Sequence, residues 1–592
     1  MLSGLRQTWD LENIFPGGSE SPELAAYMDA LDKDIAAYKD QVAAQALPAT
    51  IADAQPWVEL IDAAQEIGRR FRQMGAFIGC LNSQNMKDQK AKLLAGRSGQ
   101  MGAAFSAAQT LLDSKLLQIT EPVWTAMLQT EKLQPLAFNL QERRRRAEAK
   151  MGPEKESLVG DLSVDGYHAW GNLYNTIVGR ITVPVDGKAL SVGQAFNQMS
   201  SGDRAVRQNV FTEWEKAWGE QAELIAASLN HLAGYRINLY KHRGWDSILG
   251  EPLDNNRMTA QTLDTMWDVI EQNKGLVVKY LERKAKLLNL PGLAWYDVDA
   301  PLTASTSKVS FDWAANFVLE QFGRFSPRMA NFTKMAFEKS WVEAEDRPGK
   351  RPGAFCTGFP VAGESRVFMT FGGSMGNVST LAHELGHAYH GSIMRELPPM
   401  AQGYAMNVAE TASTFAEMIV ADAAVKAAPT PEERLALLAD KVERTVTMFM
   451  NIHSRFIFET AFYEQRKKGL VSVDKLNELM ENAQKQAFHN SLTQYHPLFW
   501  ASKLHFYSTG QPFYNFPYTF GYLFSTGIYA RALAEGPTFE QKYADLLRDT
   551  GRMNVEDLAA RHLGVDLRKP DFWQSAVDVA AADIKEFLKV TE

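Results

Sequence analysis

The sequence predicts a mainly α-helical protein with a few short strands. Through most of its 592 residues, apolar side chains recur every three or four positions, the spacing that gives a helix one buried face. Only two stretches carry features of β-structure instead. The segments that this spacing predicts to be helical are residues 24–42, 61–78, 93–117, 205–240, 263–288, 311–322 and 435–463.

The first helix and the first hairpin have clear local signals. Pro22 fits the first turn of a helix, and Pro48 ends the same segment. Residues 181–192 read as a hairpin, because Asp186-Gly187 supplies the positive φ angles of a two-residue turn. Pro184 cannot donate a backbone hydrogen bond, so we expect this hairpin at an exposed edge.

Composition and charge limit the possible functions. With 45% hydrophobic residues the chain can bury a large core. A net charge of −8, from 62 basic and 70 acidic residues, argues against a nucleic-acid partner. We find neither a basic segment followed by an apolar run at the N-terminus nor a stretch of about twenty apolar residues. We therefore expect a cytoplasmic protein without membrane contact; its oligomeric state is not indicated.

The strongest functional signal is His383-Glu-Leu-Gly-His387. Helical residues four apart lie on one face, so the two imidazoles can bind one metal ion. Glu384 is rotated away from them toward the open coordination position, where it can take a proton from a bound water. Cys80 and Cys356 are the only cysteines, and the sequence around Cys356 offers no paired base, so a cysteine nucleophile is a weak alternative.

The residues around this motif indicate a buried helix. Apolar residues flank both imidazoles, and several polar residues upstream could cap the N-terminus. His390, one turn past His387, is expected to pack or to support a ligand, since a catalytic zinc keeps one position open. The cap candidates are Asn377, Ser379 and Thr380, and the apolar flanks are Leu381, Ala382, Leu385, Ala388 and Tyr389.

A strand is predicted just before the motif helix, at residues 366–371, ending in Gly372-Gly373. One interpretation is that it runs beside the metal and that its free backbone groups pair with a peptide substrate as an added strand. The other is a purely structural strand, and the sequence favours neither.

The third metal ligand is sought downstream. No third histidine follows at the short spacing known from other zinc sites, since position 393 is Ile. Residues 403–420 form a helix candidate whose Glu410 lies 23 residues past His387, enough for a turn and an antiparallel return. Glu417 lies two turns further on the same face. We predict Glu410 as the ligand and Glu417 as a group that orients a ligand imidazole; the alternative is that both face solvent.

These residues resemble a known family. His383-Glu-Leu-Gly-His-Ala-Tyr-His390 and Asn407-Val-Ala-Glu-Thr-Ala-Ser-Thr-Phe-Ala-Glu417 look like the thimet oligopeptidase and oligoendopeptidase F family of zinc peptidases, closest to the oligoendopeptidase F branch. The resemblance extends from Trp9 to the aromatic segment near the end. It implies His383, His387 and Glu410 as zinc ligands, Glu384 as general base, and a helical body with a deep channel that admits short unstructured peptides and excludes folded proteins.

The aromatic segment of residues 505–524 has two interpretations. By itself it reads as aromatic core. Tyr518 and Tyr522, four apart, would share a helix face on which their phenols could stabilise an oxyanion. The resemblance favours the second interpretation, because it implies a histidine and tyrosines here that contact the substrate and the tetrahedral intermediate. The segment is longer than in the thimet branch, and the residues expected to take these roles are His505, Tyr514, Tyr522 and Tyr518.

The functional prediction is a zinc-dependent oligoendopeptidase with one Zn²⁺ per chain, in which Glu384 activates the zinc-bound water to cut internal bonds of short peptides. Manganese or cobalt would also suit the ligands. The alternatives are a metallocarboxypeptidase, which needs a fixed basic group for the C-terminal carboxylate, and a metal-stabilised peptide-binding protein without turnover. We expect an N-terminal helical domain at 1–200, containing the hairpin, and a catalytic domain at 201–592, containing 383–387 and Glu410.

Overall fold

A computed structural model describes residues 1–302 and 308–592, and helices dominate it as predicted. The first helix begins at Pro22, where Ser21 caps it by accepting a hydrogen bond from the Leu24 amide. Its buried face repeats every three or four residues, as the sequence predicts. The first five helices are α1 Pro22–Ala44, α2 Gln55–Gln84, α3 Gln89–Gln118, α4 Glu121–Leu128 and α5 Ala137–Glu148.

The middle of the chain contains nine helices and four short strands among the described residues. The strands β1 and β2 pair antiparallel around Asp186 and Gly187, which both have positive φ. These elements are α6 Pro153–Ser163, α7 Ala169–Val178, β1 Thr182–Val185, β2 Lys188–Ser191, α8 Val192–Gln198, α9 Arg204–Gly219, α10 Ala222–Arg243, α11 Gly250–Asn255, α12 Ala260–Leu287, β3 Leu293–Ala294, α13 Phe311–Phe325, α14 Pro327–Glu338 and β4 Val342–Glu343.

The last part carries the histidine motif on α15. Its elements are β5 Phe355–Phe359, β6 Glu364–Phe368, α15 Met375–Met394, α16 Met406–Ala409, α17 Thr411–Ala427, α18 Pro431–Val446, α19 Ile452–Arg466, α20 Val473–Ala487, β7 Leu492–Gln494, α21 Phe499–Ser502, α22 Phe516–Glu535, α23 Glu540–Asp549, α24 Val555–Leu563 and α25 Pro570–Val590.

Two of the predicted helical segments are interrupted. Residues 205–240 form α9 and α10, separated after Gly219, a residue that disfavours helix. Residues 435–463 form α18 and α19, joined by a single π-helical turn, Thr447–Asn451. Such turns are frequent at functional sites, and this one borders a cavity at the metal centre.

A small sheet links the N-terminal helices to the rest of the molecule. It has three strands in the order β4-β6-β5, with β6 parallel to β4 and antiparallel to β5. Trp9 packs on this sheet, with ring centroids 6.4 Å from Phe355 and 5.5 Å from Phe368. Through this sheet, the hydrophobic core of the N-terminal helices extends to the segment that precedes α15.

Buried apolar residues form two large clusters. One is built mainly by residues 9–140 and includes Phe359 and Phe368 from the sheet. The other runs from Tyr167 to Phe587 and includes the inward face of β1. The division into domains at residue 200 stays a prediction. None of the helices among the described residues has the length and apolar character needed to span a bilayer.

Candidate metal centre and active site

The motif helix α15 begins earlier than the sequence predicted. Ser374 is the N-cap, and its Oγ accepts from the Asn377 amide at 3.2 Å. Asn377 accepts in return from the Ser374 amide at 3.4 Å, which completes a capping box. The prediction of Asn377, Ser379 or Thr380 as the cap is wrong, because the chain leaves the positive-φ turn at Gly373 directly into the helix.

The three predicted ligands lie together. Glu410 Oε2 is 3.2 Å from His383 Nε2 and 3.4 Å from His387 Nε2. One ligand atom from each residue lies within 4.8 Å of the other two. In a tetrahedral site with bonds of ~2.0–2.1 Å, ligand atoms are separated by ~3.3 Å. Both imidazole-to-carboxylate separations match that value, so the donor set fits a divalent ion.

Glu410 reaches the site from a break between two helices rather than from within one. It is the residue between α16 and α17, with φ −83° and ψ 3°. Its carboxylate accepts from Ser413 Oγ at 2.7 Å, and its carbonyl accepts from Ser525 Oγ at 3.1 Å. The continuous helix predicted over 403–420 is thus interrupted at Glu410. Hydrogen bonds from Ser413 and Ser525 stabilise this break.

A glycine within the motif allows α15 and α17 to lie close together. A Cβ at Gly386 would be 2.6 Å from the Ala412 carbonyl oxygen and 2.7 Å from Ser413 Cα. Both are backbone atoms that cannot rotate away, so only glycine permits this approach. The contact sets the distance from the two imidazoles on α15 to Glu410 at the start of α17.

Glu417 contacts the imidazole of His383, as expected for a supporting group. Its Oε2 lies 3.1 Å from His383 Nδ1, and its other oxygen is ion-paired with Arg444. Although burial acts in the opposite direction, the carboxylates of Glu417 and Glu410 raise the pKa of His383 to about 10. Two carboxylates therefore face the His383 imidazole, an arrangement that suits a bound cation.

Glu384 is buried beside the ligands without a partner for one oxygen. The residue is 5% exposed, and its Oε2 has no hydrogen bond. Burial raises the pKa of this carboxyl group. An orphaned buried carboxylate oxygen is costly unless a ligand or water pairs with it. Burial also raises the pKa of the neighbouring Cys356 thiol well above its usual range, which is contrary to the requirement for a nucleophilic thiolate.

Two cavities meet at the metal centre. One, of about 780 Å³, is lined by Glu384 and Cys356. The other, of about 750 Å³, is lined by Tyr518 and Tyr522. His383 and Glu410 contribute to the walls of both. The three candidate ligands therefore lie where the linings of two cavities adjoin.

The predicted substrate-pairing strand is the central strand of its sheet. Strand β6 lies between β4 and β5, so it is not the edge that an added strand would use. The two edge strands are β4 and β5. All five residues of β5 line the 780 Å³ cavity together with His383 and Glu384. The sequence indicated β-structure here only at 366–371, because β5 contains Gly358 and lacks strict alternation.

The aromatic residues divide into two groups. The rings of His505, Tyr514 and Tyr518 form a cluster, with centroids 5.4, 6.0 and 5.8 Å apart for the three pairs. Tyr522 is separate from it: its hydroxyl is hydrogen-bonded to Thr445 at 3.0 Å. Tyr518 and Tyr522 line the same cavity.

Further charged residues near the centre were not identified from the sequence. Arg444 holds Glu417, while Arg455 and Lys503 lie beside the aromatic cluster. Arg455 has a detectable signal, because it falls on the apolar stripe of its helix, three residues from Ile452 and three from Phe458. His390 is fully buried and contacts Thr550 at 2.9 Å, so it packs away from the metal ligands, as predicted.

Comparisons with known proteins show which family this sequence matches. The sequence model of peptidase family M3 matches residues 197–579, and that of oligopeptidase F matches 115–182. Oligopeptidase PepF of Bacillus subtilis is 23% identical over 95% of this chain and 84% of its own length. An oligoendopeptidase F homolog of Lactococcus lactis is 22% identical over 99% of this chain and 97% of its own.

Solved structures share the fold over nearly the whole chain. A candidate peptidase of Chlamydophila abortus superposes with a TM-score of 0.82 at 18% identity, covering 99% of this chain and 98% of its own. The oligoendopeptidase F of Enterococcus faecium gives 0.68 at 16% identity, covering 96% and 99%. The family match spans well over half the chain and includes every residue of the metal centre. The chain therefore belongs to peptidase family M3, in its oligoendopeptidase F group, and is a metalloendopeptidase.

Proposed function

We propose that this metallopeptidase is a zinc-dependent oligoendopeptidase that hydrolyses internal bonds of short peptides. The observation that carries the proposal is the convergence of His383, His387 and Glu410 beside the unpartnered carboxylate oxygen of Glu384. Two imidazoles and a carboxylate form a common zinc donor set. When bound, zinc supplies a Lewis acid that polarises a carbonyl group and lowers the pKa of water.

Glu384 is the proposed general base. Its free oxygen accepts a proton from the water that attacks the scissile carbonyl carbon, and returns that proton to the departing amine nitrogen as the carbon–nitrogen bond breaks. Burial raises its pKa, which makes the carboxylate a better proton acceptor than an exposed one. No covalent bond to the enzyme forms in this scheme.

His505 and Tyr518 are the proposed donors to the negative charge on the carbonyl oxygen. Burial, together with Arg455 and Lys503, lowers the pKa of His505 to about 4, so it is neutral at neutral pH and donates one N–H. Burial raises the pKa of Tyr518, which keeps its phenol protonated. Tyr514 supports both rings, and Tyr522, bonded to Thr445, contacts the substrate from the cavity wall.

The two cavities beside the candidate ligands support short, extended peptides as substrates. The edge of β5 can pair with a peptide backbone beside the metal ligands. The relatives named oligopeptidase or oligoendopeptidase support the same size class. We also propose that the protein degrades peptides in the cytoplasm.

A peptide blocked at both ends tests this function. We expect an acetylated and amidated peptide of about ten residues to be cut at an internal bond, with both fragments seen by mass spectrometry. Chelation should stop the reaction, and one equivalent of Zn²⁺ per chain should restore it. A carboxypeptidase would leave the blocked peptide intact, and a binding protein would also leave the unblocked peptide intact; either result would contradict the proposal.

Changing Glu417 to Gln should weaken metal binding. The substitution keeps the volume but removes the charge that orients the His383 imidazole, and such changes cost about tenfold to hundredfold in affinity. The dissociation constant can be measured by competition with a chromophoric chelator. Asp422→Asn is the matched control on the same helix, because Asp422 binds Lys441 and Tyr529 instead of a ligand. Equal affinities for the two variants would contradict the role of Glu417.

A further inference from the structure

Among the described residues, two cations next to the aromatic cluster have no carboxylate partner. Arg455 is 7% exposed, and within the described part of the chain it donates only to the neutral amides of Asn451 at 2.9 Å and Asn515 at 3.0 Å. Its guanidinium lies 5.2 Å from the Phe499 ring centroid. Lys503 Nζ lies 4.9 Å from the same ring and forms no hydrogen bond or ion pair with the described residues. Phe499 therefore brings the two positive charges together.

Nearby acids leave this pair unneutralised. Asp299 acts on both cations electrostatically, but it forms an ion pair with neither. Glu459, one turn after Arg455, accepts from the Phe513 amide, and burial raises its pKa to about 8, so it is mostly protonated at neutral pH. Burial, with the neighbouring guanidinium, lowers the pKa of Lys503 to about 7. A bound anion would remove this destabilisation.

The pair lies next to the proposed catalytic groups. Asn515, which Arg455 holds, is the residue before α22, and Tyr518 follows in the first turn of that helix. Tyr518 lines the cavity that His383 and Glu410 also line. The His505 ring is 6.0 Å from the Tyr518 ring, and its pKa responds to both cations. Asp299, which acts electrostatically on both cations, lines the same cavity as Tyr518.

We propose that Arg455 and Lys503 form a subsite for a substrate carboxylate, which the C-terminus of a short peptide supplies. Partly or fully buried cations are costly unless paired, and a carboxylate accepts from both a guanidinium and an ammonium. The proposal rests on the peptidase function and adds a constraint to it: the C-terminus is held at a fixed distance from Glu384. With the C-terminus held there, the cut bond lies a fixed number of residues from the C-terminus. Peptides whose C-terminus is blocked are cut more slowly.

Matched peptides test the subsite. One quenched fluorescent sequence is prepared as the free acid, as the amide, and as the amide with Glu in place of the last residue. We expect the free acid to have a kcat/KM at least about tenfold above the amide, the effect of one charge-assisted hydrogen bond. If the amide that ends in Glu regains the kcat/KM of the free acid, the same subsite also binds side-chain carboxylates. Residues added at the N-terminus should leave the cut at a constant distance from the C-terminus.

Lys503→Met links the preference to this pair. Methionine keeps much of the apolar stem, and no internal hydrogen bond is lost, so the fold should be retained. We expect the ratio of free acid to amide to fall toward one. Lys475→Met, which removes a surface lysine paired with Glu478, is the control and should keep the parent ratio. A parent enzyme that cuts acid and amide equally well, or an unchanged ratio in Lys503→Met, would overturn the proposal.

Binding measurements separate this proposal from the catalytic one. Titration calorimetry with the Glu384→Gln variant compares the free acid with the amide in the absence of turnover. Tighter binding of the acid that is lost in the double variant Glu384→Gln, Lys503→Met supports the subsite even if the parent cuts no peptide, an outcome that would refute only the peptidase function. Equal binding of acid and amide refutes the subsite even if both peptides are cut internally.

Discussion

Replacing Glu384 with Gln is expected to lower kcat/KM at least about hundredfold while the metal content stays the same. The amide has the size of the carboxylate but cannot accept a proton, and general base catalysis contributes a factor of about 10² to 10⁴. Metal binding should persist, because the three ligand atoms belong to other residues. The fold should persist as well, since the changed Oε2 has no hydrogen bond to lose. The measurement is peptide hydrolysis alongside metal analysis of the same sample.

A control variant and a stability measurement are needed to interpret this result. Glu396→Gln removes an exposed carboxylate just past the same helix and should leave hydrolysis close to that of the parent. Thermal unfolding of both variants should match the parent. A Glu384→Gln enzyme that retains metal and keeps activity within about tenfold of the parent would exclude Glu384 as the base.

The closeness of the two histidines in the candidate metal centre was predictable because their spacing is local. His383 and His387 need only a helix to share a face, and the apolar periodicity of residues 381–389 indicates one. Glu410 was predicted from the length needed for an antiparallel return. Its backbone conformation was not predicted, because the break between α16 and α17 is held by Ser525, which is 115 residues away. Long-range contacts of this kind leave no periodic pattern in the sequence.

The order of the strands in the sheet could not be predicted from the sequence for the same reason. Strand β6 is central because β4, more than twenty residues earlier, pairs with it in parallel. Residues 366–371 by themselves have the same pattern whether they form an edge or a centre. The pair of Arg455 and Lys503 is a further example, since the two residues meet only through Phe499. A charged residue on the apolar face of a helix indicates a buried polar site, but only the three-dimensional structure identifies its partner.

Changing Gly386 to Ala should damage both stability and catalysis, although the added group is a single methyl. The new Cβ would lie 2.6 Å from the Ala412 carbonyl oxygen, 2.7 Å from Ser413 Cα and 2.9 Å from Ala416 Cβ. Because these atoms belong to the helix backbone or its first side-chain carbon, α17 itself must move. Overpacking of this kind costs ~1–3 kcal/mol. The movement also carries Glu410 away from the imidazoles, and a displacement of ~1 Å can cost a factor of ~100 in rate.

Gly391→Ala on the same helix separates the steric effect from the general effect of alanine. A Cβ there would meet only Ser365 Oγ, at 4.0 Å, and alanine in a helix is more favourable than glycine by ~0.5–1 kcal/mol. We therefore expect the melting temperature to fall for Gly386→Ala and to stay level or rise for Gly391→Ala. Metal affinity should fall at least about tenfold in the first variant only. If Gly386→Ala melts and binds metal like the parent, the two helices do not approach as closely as these distances require, and the glycine in the motif serves no packing role.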